Sequence, residues 1–238
     1  MNLDKISVVI LAAGLGTRLT NFRGGKTNKL LLEINGIPMI LKQIYQLIGW
    51  GFNRENIICV TNQNINNAIE EAVSGEFGSD IKYVIQPEPL GISHAFSFSE
   101  PLISSDHVLL ALGDNFFELN PFLDTKLDDK VMANIFTKKV NNPQDFGIIE
   151  LSGERIISIE EKPANPVSDL AVVGLYLYKK DIFKNIKMLT PSDRGEYEIT
   201  DLNRGLIKKG DIVSHEIDGW WIDAGTPERI IELEEKLN

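Results

Sequence analysis

In the first half of the chain, short unbroken apolar runs alternate with stretches whose apolar residues recur every three or four positions. Val8-Val9-Ile10-Leu11, Ile57-Ile58-Cys59-Val60 and Val108-Leu109-Leu110-Ala111 are such runs. A strand covered on both faces reads this way. They predict strands over 6–12, 56–61 and 107–112. A further strand over 82–86 stops at Pro87-Glu88-Pro89, because proline cannot continue a ladder. Met39, Ile40, Ile44, Leu47 and Ile48 fall at helical spacing within 38–50, behind the turn residues Gly36 and Pro38. Helices are also expected over 65–73 and 91–103. Alternating β and α with fully apolar strands implies a mostly parallel sheet covered on both faces.

The pattern changes after residue 115. Strands over 131–137, 147–151, 156–160 and 171–178 are separated by polar turns such as Ser152-Gly153. They read as mixed or antiparallel strands that extend the same sheet or fold over it. Helices are expected over 199–209 and 227–237, with short strands over 212–217 and 220–222 between them. No linker, repeat or low-complexity segment interrupts the chain, so residues 1–238 read as one domain. Its nucleotide half would be about 1–115 and its substrate half about 116–238.

Bulk properties narrow the function. A chain of 238 residues, 43% hydrophobic and 24% charged, can bury a sizeable core. No apolar run approaches the roughly 20 residues of a spanning helix. The N-terminus enters a strand at once, leaving no room for a signal peptide. The one cysteine, Cys59, lies inside an apolar run and reads as strand filler rather than a catalytic thiol. A cytoplasmic, membrane-free protein is the expectation. The net charge of −10, from 24 basic and 34 acidic residues, argues against a nucleic-acid binder. It leaves room for a small phosphate ligand, which needs only local cations, backbone donors and a divalent metal.

Five segments carry candidate chemistry. The first strand empties into Ala12-Ala13-Gly14-Leu15-Gly16-Thr17, then meets Arg18 and, eleven residues on, Lys29. Backbone N–H groups followed by cations suit a polyphosphate. Two familiar phosphate motifs fail here on spacing: a dinucleotide fingerprint would need glycine at Leu19, and a P-loop ending at Lys26-Thr27 would need it at Thr20. Asp114 follows the strand over 107–112, at the sheet edge where ligands of open α/β folds bind; it suits Mg²⁺ or a plain turn about equally. Asp223, in Trp221-Ile222-Asp223-Ala224-Gly225-Thr226, repeats the arrangement, with Thr226 also readable as a helix N-cap. Glu161-Lys162 and Arg194 end or precede elements, where each taken alone reads as a surface charge before it reads as a site. The histidines 94, 107 and 215 have no zinc spacing, and no Gly-x-Ser-x-Gly elbow is present.

Taken in order, these segments resemble the sugar-1-phosphate nucleotidylyltransferases, most closely the short form of the thymidylyl branch. The resemblance rests on Leu11 to Leu19, Asn28-Lys29-Leu30-Leu31, Gln86-Pro87-Glu88-Pro89 with Gly91, and Leu112 to Asn115. Further matches are Phe146-Gly147, Glu160 to Pro163, Val172 to Tyr176, Arg194-Gly195-Glu196, Glu198 to Asp201, and Trp221 to Thr226. It implies a Rossmann-like three-layer sandwich with a mixed, mostly parallel sheet, of the nucleotide-diphospho-sugar transferase type. It also implies attack of a sugar-1-phosphate, glucose-1-phosphate in the closest case, on dTTP with Mg²⁺ as cofactor.

The implied roles are specific. Arg18 would meet the leaving pyrophosphate and Lys29 the reacting phosphates, while Asp114 and Asp223 would hold Mg²⁺. Leu11, Ala12, Ala13, Gly14, Gly16, Thr17, Gln86, Pro89 and Gly91 would bind the nucleotide. Asn115, Gly147, Glu161, Lys162, Val172, Tyr176 and Arg194 would bind the sugar phosphate. A homo-oligomer is implied as well. The chain departs from the family pattern at Glu33, at Asp145 and at Ser93-His94, where Ala-Gln is commoner, and its 18–29 loop appears about one residue longer and lacks an aromatic-Pro pair. UTP or CTP in place of dTTP, and a non-catalytic sugar-nucleotide sensor, are the rival readings.

Overall fold

The computed structural model describes residues 1–14, 19, 22, 28–123 and 125–238. Strand β1 (Ser7–Leu11) is followed by a small hairpin, β2 (Glu33–Ile34) and β3 (Ile37–Pro38), and by α1 (Met39–Gly49). Then come β4 (Ile57–Asn62), α2 (Asn66–Phe77), β5 (Lys82–Gln86), α3 (Ile92–Ser97), β6 (His107–Leu112) and β7 (Asn115–Phe117). The second half contributes β8 (Ala133–Lys139), β9 (Gly147–Ser152), β10 (Arg155–Glu161), β11 (Leu170–Lys179), α4 (Ile182–Ile186), α5 (Ile199–Lys209), β12 (Ile212–Glu216), β13 (Trp221–Asp223) and α6 (Pro227–Lys236).

Nine strands form one sheet, in the order β10-β9-β11-β6-β1-β4-β5, with β8 pairing β11 and β12. β1 lies between β4 and β6, parallel to both, and β5 continues the parallel set. β11 runs antiparallel beside β6 and carries the sheet into the second half. Strands β8 to β12 therefore extend the first sheet rather than folding over it, while β13 pairs with β7 in a separate two-stranded sheet.

Alternation along each central strand feeds two cores. Val8, Ile10, Ile57, Cys59, Leu109 and Ala111 face one side, where α1, α2 and α6 bring Ile44, Leu47, Val73 and Leu233. Val9, Ile58, Val60, Val108 and Leu110 face the other, covered by Phe96, Phe183, Leu202 and Leu206 from α3, α4 and α5. Helices on both faces make three layers, as the unbroken apolar runs imply. No helix among the described residues is long and apolar enough to cross a membrane.

Several expected elements differ. The helix expected over 91–103 is α3 alone, followed by a separate 3-10 turn at Glu100–Leu102 with Pro101 inside it. The helix over 65–73 continues to Phe77, because Phe77 repeats the buried stripe of Ile69 and Val73. The strand expected to begin at Val131 begins at Ala133. The hairpin β2–β3, helix α4 and strand β7 were not expected at all; each is five residues or fewer, too short for a period to register.

Candidate active site

The carboxyl ends of β1, β5 and β6 gather at one edge of the sheet. Ala12 continues past β1 by donating its N–H to Val60 O at 2.8 Å, and Gly113 N–H donates to Leu11 O at 3.1 Å. Asn62 donates to Ala13 O at 2.9 Å, fixing the turn from the β4 side. A cavity of about 420 Å³ opens there, lined by Leu11, Ala13, Gly14, Leu112 and Asp114 from the strand ends and by Gln86, Pro89, Gly91, Ile92 and Ala95 from the β5–α3 connection. Glu196 completes the lining from the far half of the chain.

Glu196 is held there by backbone pairing across the two halves. Tyr197 N–H donates to Leu90 O at 2.8 Å, and Ser93 N–H to Tyr197 O at 3.1 Å. Gly91, at φ +100°, sits under this contact, and a Cβ on it would lie 2.9 Å from Tyr197 O. Only glycine satisfies both the backbone angle and the clearance.

β7 and β13 form a two-stranded sheet that answers whether the two candidate aspartates meet. Asp223 pairs with Asn115 in register, and Ala224 N–H donates to Asp114 O at 2.8 Å. Lys29 enters from a 3-10 turn capped by Asn28, whose side chain accepts from Leu30 N–H at 2.9 Å, and its ammonium pairs with Asp114 Oδ2. A Cβ on Gly225 would lie 2.9 Å from Asp223 Oδ1 and 3.6 Å from Lys29 Nζ, so both charges flank that glycine. Burial alone would raise the Asp114 pKa, but the Lys29 ammonium and the Asn115 hydrogen bond outweigh it and hold the carboxyl below its usual range.

Asn115 is the orienting residue of this group. Its side chain is buried; Oδ1 accepts from Trp221 Nε1–H at 2.7 Å and from Gly174 N–H at 3.0 Å, while Nδ2 donates to Asp114 Oδ1 at 2.8 Å. Asn115 thus supports Asp114 through one amide hydrogen, while its carbonyl is committed to two buried donors.

On the other side, β9 and β10 pair Gly147 with Glu161. Thr200 Oγ1 donates to Glu161 Oε2 at 2.7 Å, and Lys162 Nζ lies 3.6 Å from Glu161 Oε1. Lys162 adopts φ +46°, and its N–H donates to Phe146 O at 2.9 Å. Arg194 lies 3.8 Å from Glu196, which lines the cavity, and 3.5 Å from Glu198. Val172 and Tyr176 are buried in the β11 wall, where Tyr176 stacks on Tyr178; burial first, and Glu161 second, raise its phenol pKa.

Most expected nucleotide residues thus share one cavity, with Ala12 packed beneath it in the core. Gly16, Thr17 and Arg18 lie outside the described residues. Sequence reasoning assigned no role to Trp221, Gly174, Thr200 or Glu196. All four stood inside segments that carry the resemblance, so their positions were visible even though their partners were not.

A family model described as Nucleotidyl transferase matches residues 7–238. A glucose-1-phosphate thymidylyltransferase of Neisseria meningitidis is 38% identical over 233 residues, covering 94% of this chain and 80% of that protein. A candidate glucose-1-phosphate thymidylyltransferase from Bacillus anthracis, crystallised with sucrose, superposes with a TM-score of 0.86 at 34% identity, covering 98% of this chain and 96% of the other. A UDP-glucose pyrophosphorylase holding UDP-glucose, at 23% identity and a TM-score of 0.77 over 97% of each chain, shares the fold. With a family model spanning nearly all of its length, the chain belongs to the nucleotidyl transferase family.

Proposed function

We propose that the protein transfers a thymidylyl group from dTTP to a sugar-1-phosphate, glucose-1-phosphate as in the Neisseria relative, releasing pyrophosphate. One observation supports the reading: a single cavity is lined by Asp114 and Glu196, and each of these carboxylates is paired with a cation, Lys29 and Arg194. In the reaction, an oxygen of the sugar phosphate forms a bond to the α-phosphorus. The bond from that phosphorus to the β-phosphate bridging oxygen breaks, and pyrophosphate leaves with the electron pair.

No side-chain nucleophile is required, so the residues act by alignment and by matching charge that develops at the phosphorus. Lys29 would bridge the reacting phosphates and reduce their mutual repulsion. Lys162 and Arg194 would grip the sugar phosphate, and Arg18, by family correspondence, the leaving group. Asp114, just before β7, and Asp223, at the end of the paired strand β13, are oxygen donors that fit a divalent cation such as Mg²⁺, which takes one or two protein carboxylates. Among the described residues no three acidic, His or Cys side chains cluster as a complete metal cage. That suits a cation completed by water and phosphate oxygens. When bound, the cation neutralises phosphate charge. Residues about 1–115 would serve the nucleotide and about 116–238 the sugar phosphate, in a cytoplasmic homo-oligomer.

The test is pyrophosphate release from a panel of nucleoside triphosphates and sugar-1-phosphates. Turnover should be greatest with dTTP and should stop with EDTA. Lys29→Ala and Asp223→Asn should each lower it by about 10²–10³ with the fold intact. Pyrophosphate release near the wild-type rate from both variants would refute the assignment.

A further inference from the structure

Gln86, at the end of β5, lines the cavity although only 4% of it is exposed. Its Nε2 lies 3.4 Å from Gly91 O and 3.0 Å from Nδ1 of His94 on α3. A backbone carbonyl only accepts, so the amide nitrogen must face Gly91. The second amide hydrogen then meets His94 Nδ1, which accepts when the imidazole proton sits on Nε2. With both hydrogens engaged by the protein, Oε1 is the polar atom Gln86 has left to offer a ligand in the cavity.

The His94 ring is itself held. It meets Phe98 edge to face, with centroids 4.9 Å apart, and stacks on Tyr197 at 5.8 Å and 19°. Tyr197 is the residue whose backbone closes over Gly91. Phe98 and Tyr197 therefore pack against the ring and hold it beside Gln86.

We infer that His94 is a specificity-determining positioning residue: it fixes the Gln86 amide so that the cavity offers an acceptor, selecting a pyrimidine with a donor at N3. Thymine and uracil carry N3–H, whereas the N3 of cytosine is an acceptor and would face Oε1 with no hydrogen between them. A buried polar group left without a partner is what a hydrogen-bonding site discriminates by. His94 touches no substrate; it acts through Gln86. The inference rests on the nucleotide reading of this cavity given above.

Two substitutions separate this role from packing. His94→Phe keeps an aromatic ring but loses the acceptor, while His94→Asn places a carbonyl oxygen near the position of Nδ1. In pyrophosphate release with His94→Phe, KM for dTTP should rise about tenfold. The ratio of kcat/KM for dTTP over dCTP should fall by a similar factor, and kcat at saturating dTTP should stay within about twofold of wild type. His94→Asn should restore most of both losses. Calorimetric binding of dTTP and dCTP to the same three proteins should show the same order without turnover. An unchanged KM and base ratio in His94→Phe, with active wild type, would overturn the inference and leave the proposed function standing. So would His94→Asn behaving like His94→Phe. Base-selective binding that His94→Phe erases, in a protein that turns over no triphosphate, would uphold the inference and remove the function. Absence of any pyrimidine nucleotide binding would remove both.

Discussion

Gly174 is a position where a single methyl group should do considerable damage. It lies in β11, within a register irregularity between Val172 and Tyr176 in the pairing with β8. A Cβ built on Gly174 would stand 2.7 Å from both Cγ and Oδ1 of Asn115 and 2.8 Å from Nδ2. These are not the ends of a flexible chain but a buried amide fixed at 2.7 Å by Trp221 Nε1–H and at 3.0 Å by Gly174 N–H. Gly174→Ala must push the amide aside. Overpacking a well-filled core costs about 1–3 kcal/mol. Each buried donor left without its acceptor costs about 1–3 kcal/mol more. Together these predict destabilisation of about 4 kcal/mol, or a fall in Tm of about 8–16 °C for a domain of this size.

Differential scanning calorimetry of wild type, Gly174→Ala, Asn115→Ala and the double variant tests the argument. Asn115→Ala loses the same hydrogen bonds but empties the space, so the added methyl should then be nearly harmless. The two effects should therefore be non-additive by nearly the whole cost of Gly174→Ala, about 4 kcal/mol. A Gly174→Ala protein melting within 2 °C of wild type, or strict additivity, would show that Asn115 is not wedged against this glycine. Turnover supplies a second readout, because the displaced amide also releases Asp114 Oδ1.

Three further outcomes follow from the same structure. Asp114 ionises more readily folded than unfolded, so its contribution to stability is complete above the unfolded carboxyl value of about 4 and is lost as pH falls through the lower folded value. Urea titrations of wild type and Asp114→Asn should therefore converge toward acid, and a pH-independent gap would contradict the pairing with Lys29. Burial pushes the Cys59 thiol up to about 12, so Ellman's reagent at mildly alkaline pH should label it only as fast as the protein unfolds; rapid labelling of native protein would place the thiol at the surface. Thr226 caps α6 by accepting from Arg229 N–H at 3.4 Å, and Thr226→Ala should cost about 1 kcal/mol in chemical denaturation, a cost that Thr226→Ser should largely spare.

What the sequence disclosed and what it withheld divide along a physical line. Strands buried on both faces leave unbroken apolar runs, and 82–86 and 107–112 are found at the residues expected. Helix α5 likewise spans the residues its period marks. The strand-end positions of Asp114 and Asp223 were legible for the same reason. Their meeting was not, because it depends on β7 and β13, three residues each, pairing across more than a hundred positions. No local period encodes such a pair. Its signal lies in residue choice: Asn115 next to Asp114, and Trp221 two before Asp223, supply the donor and acceptor that lock the two strands. The same holds for His94, visible only as a departure from a resemblance until its Nδ1 was found 3.0 Å from Gln86. Elements that bury area announce themselves by pattern, whereas residues that aim other residues are seen once distances are known. For this chain the aiming contacts join the two halves, at Asn115–Trp221 and at Leu90–Tyr197. A perturbation at either should therefore reach both substrates, whereas one confined to Thr226 should reach neither.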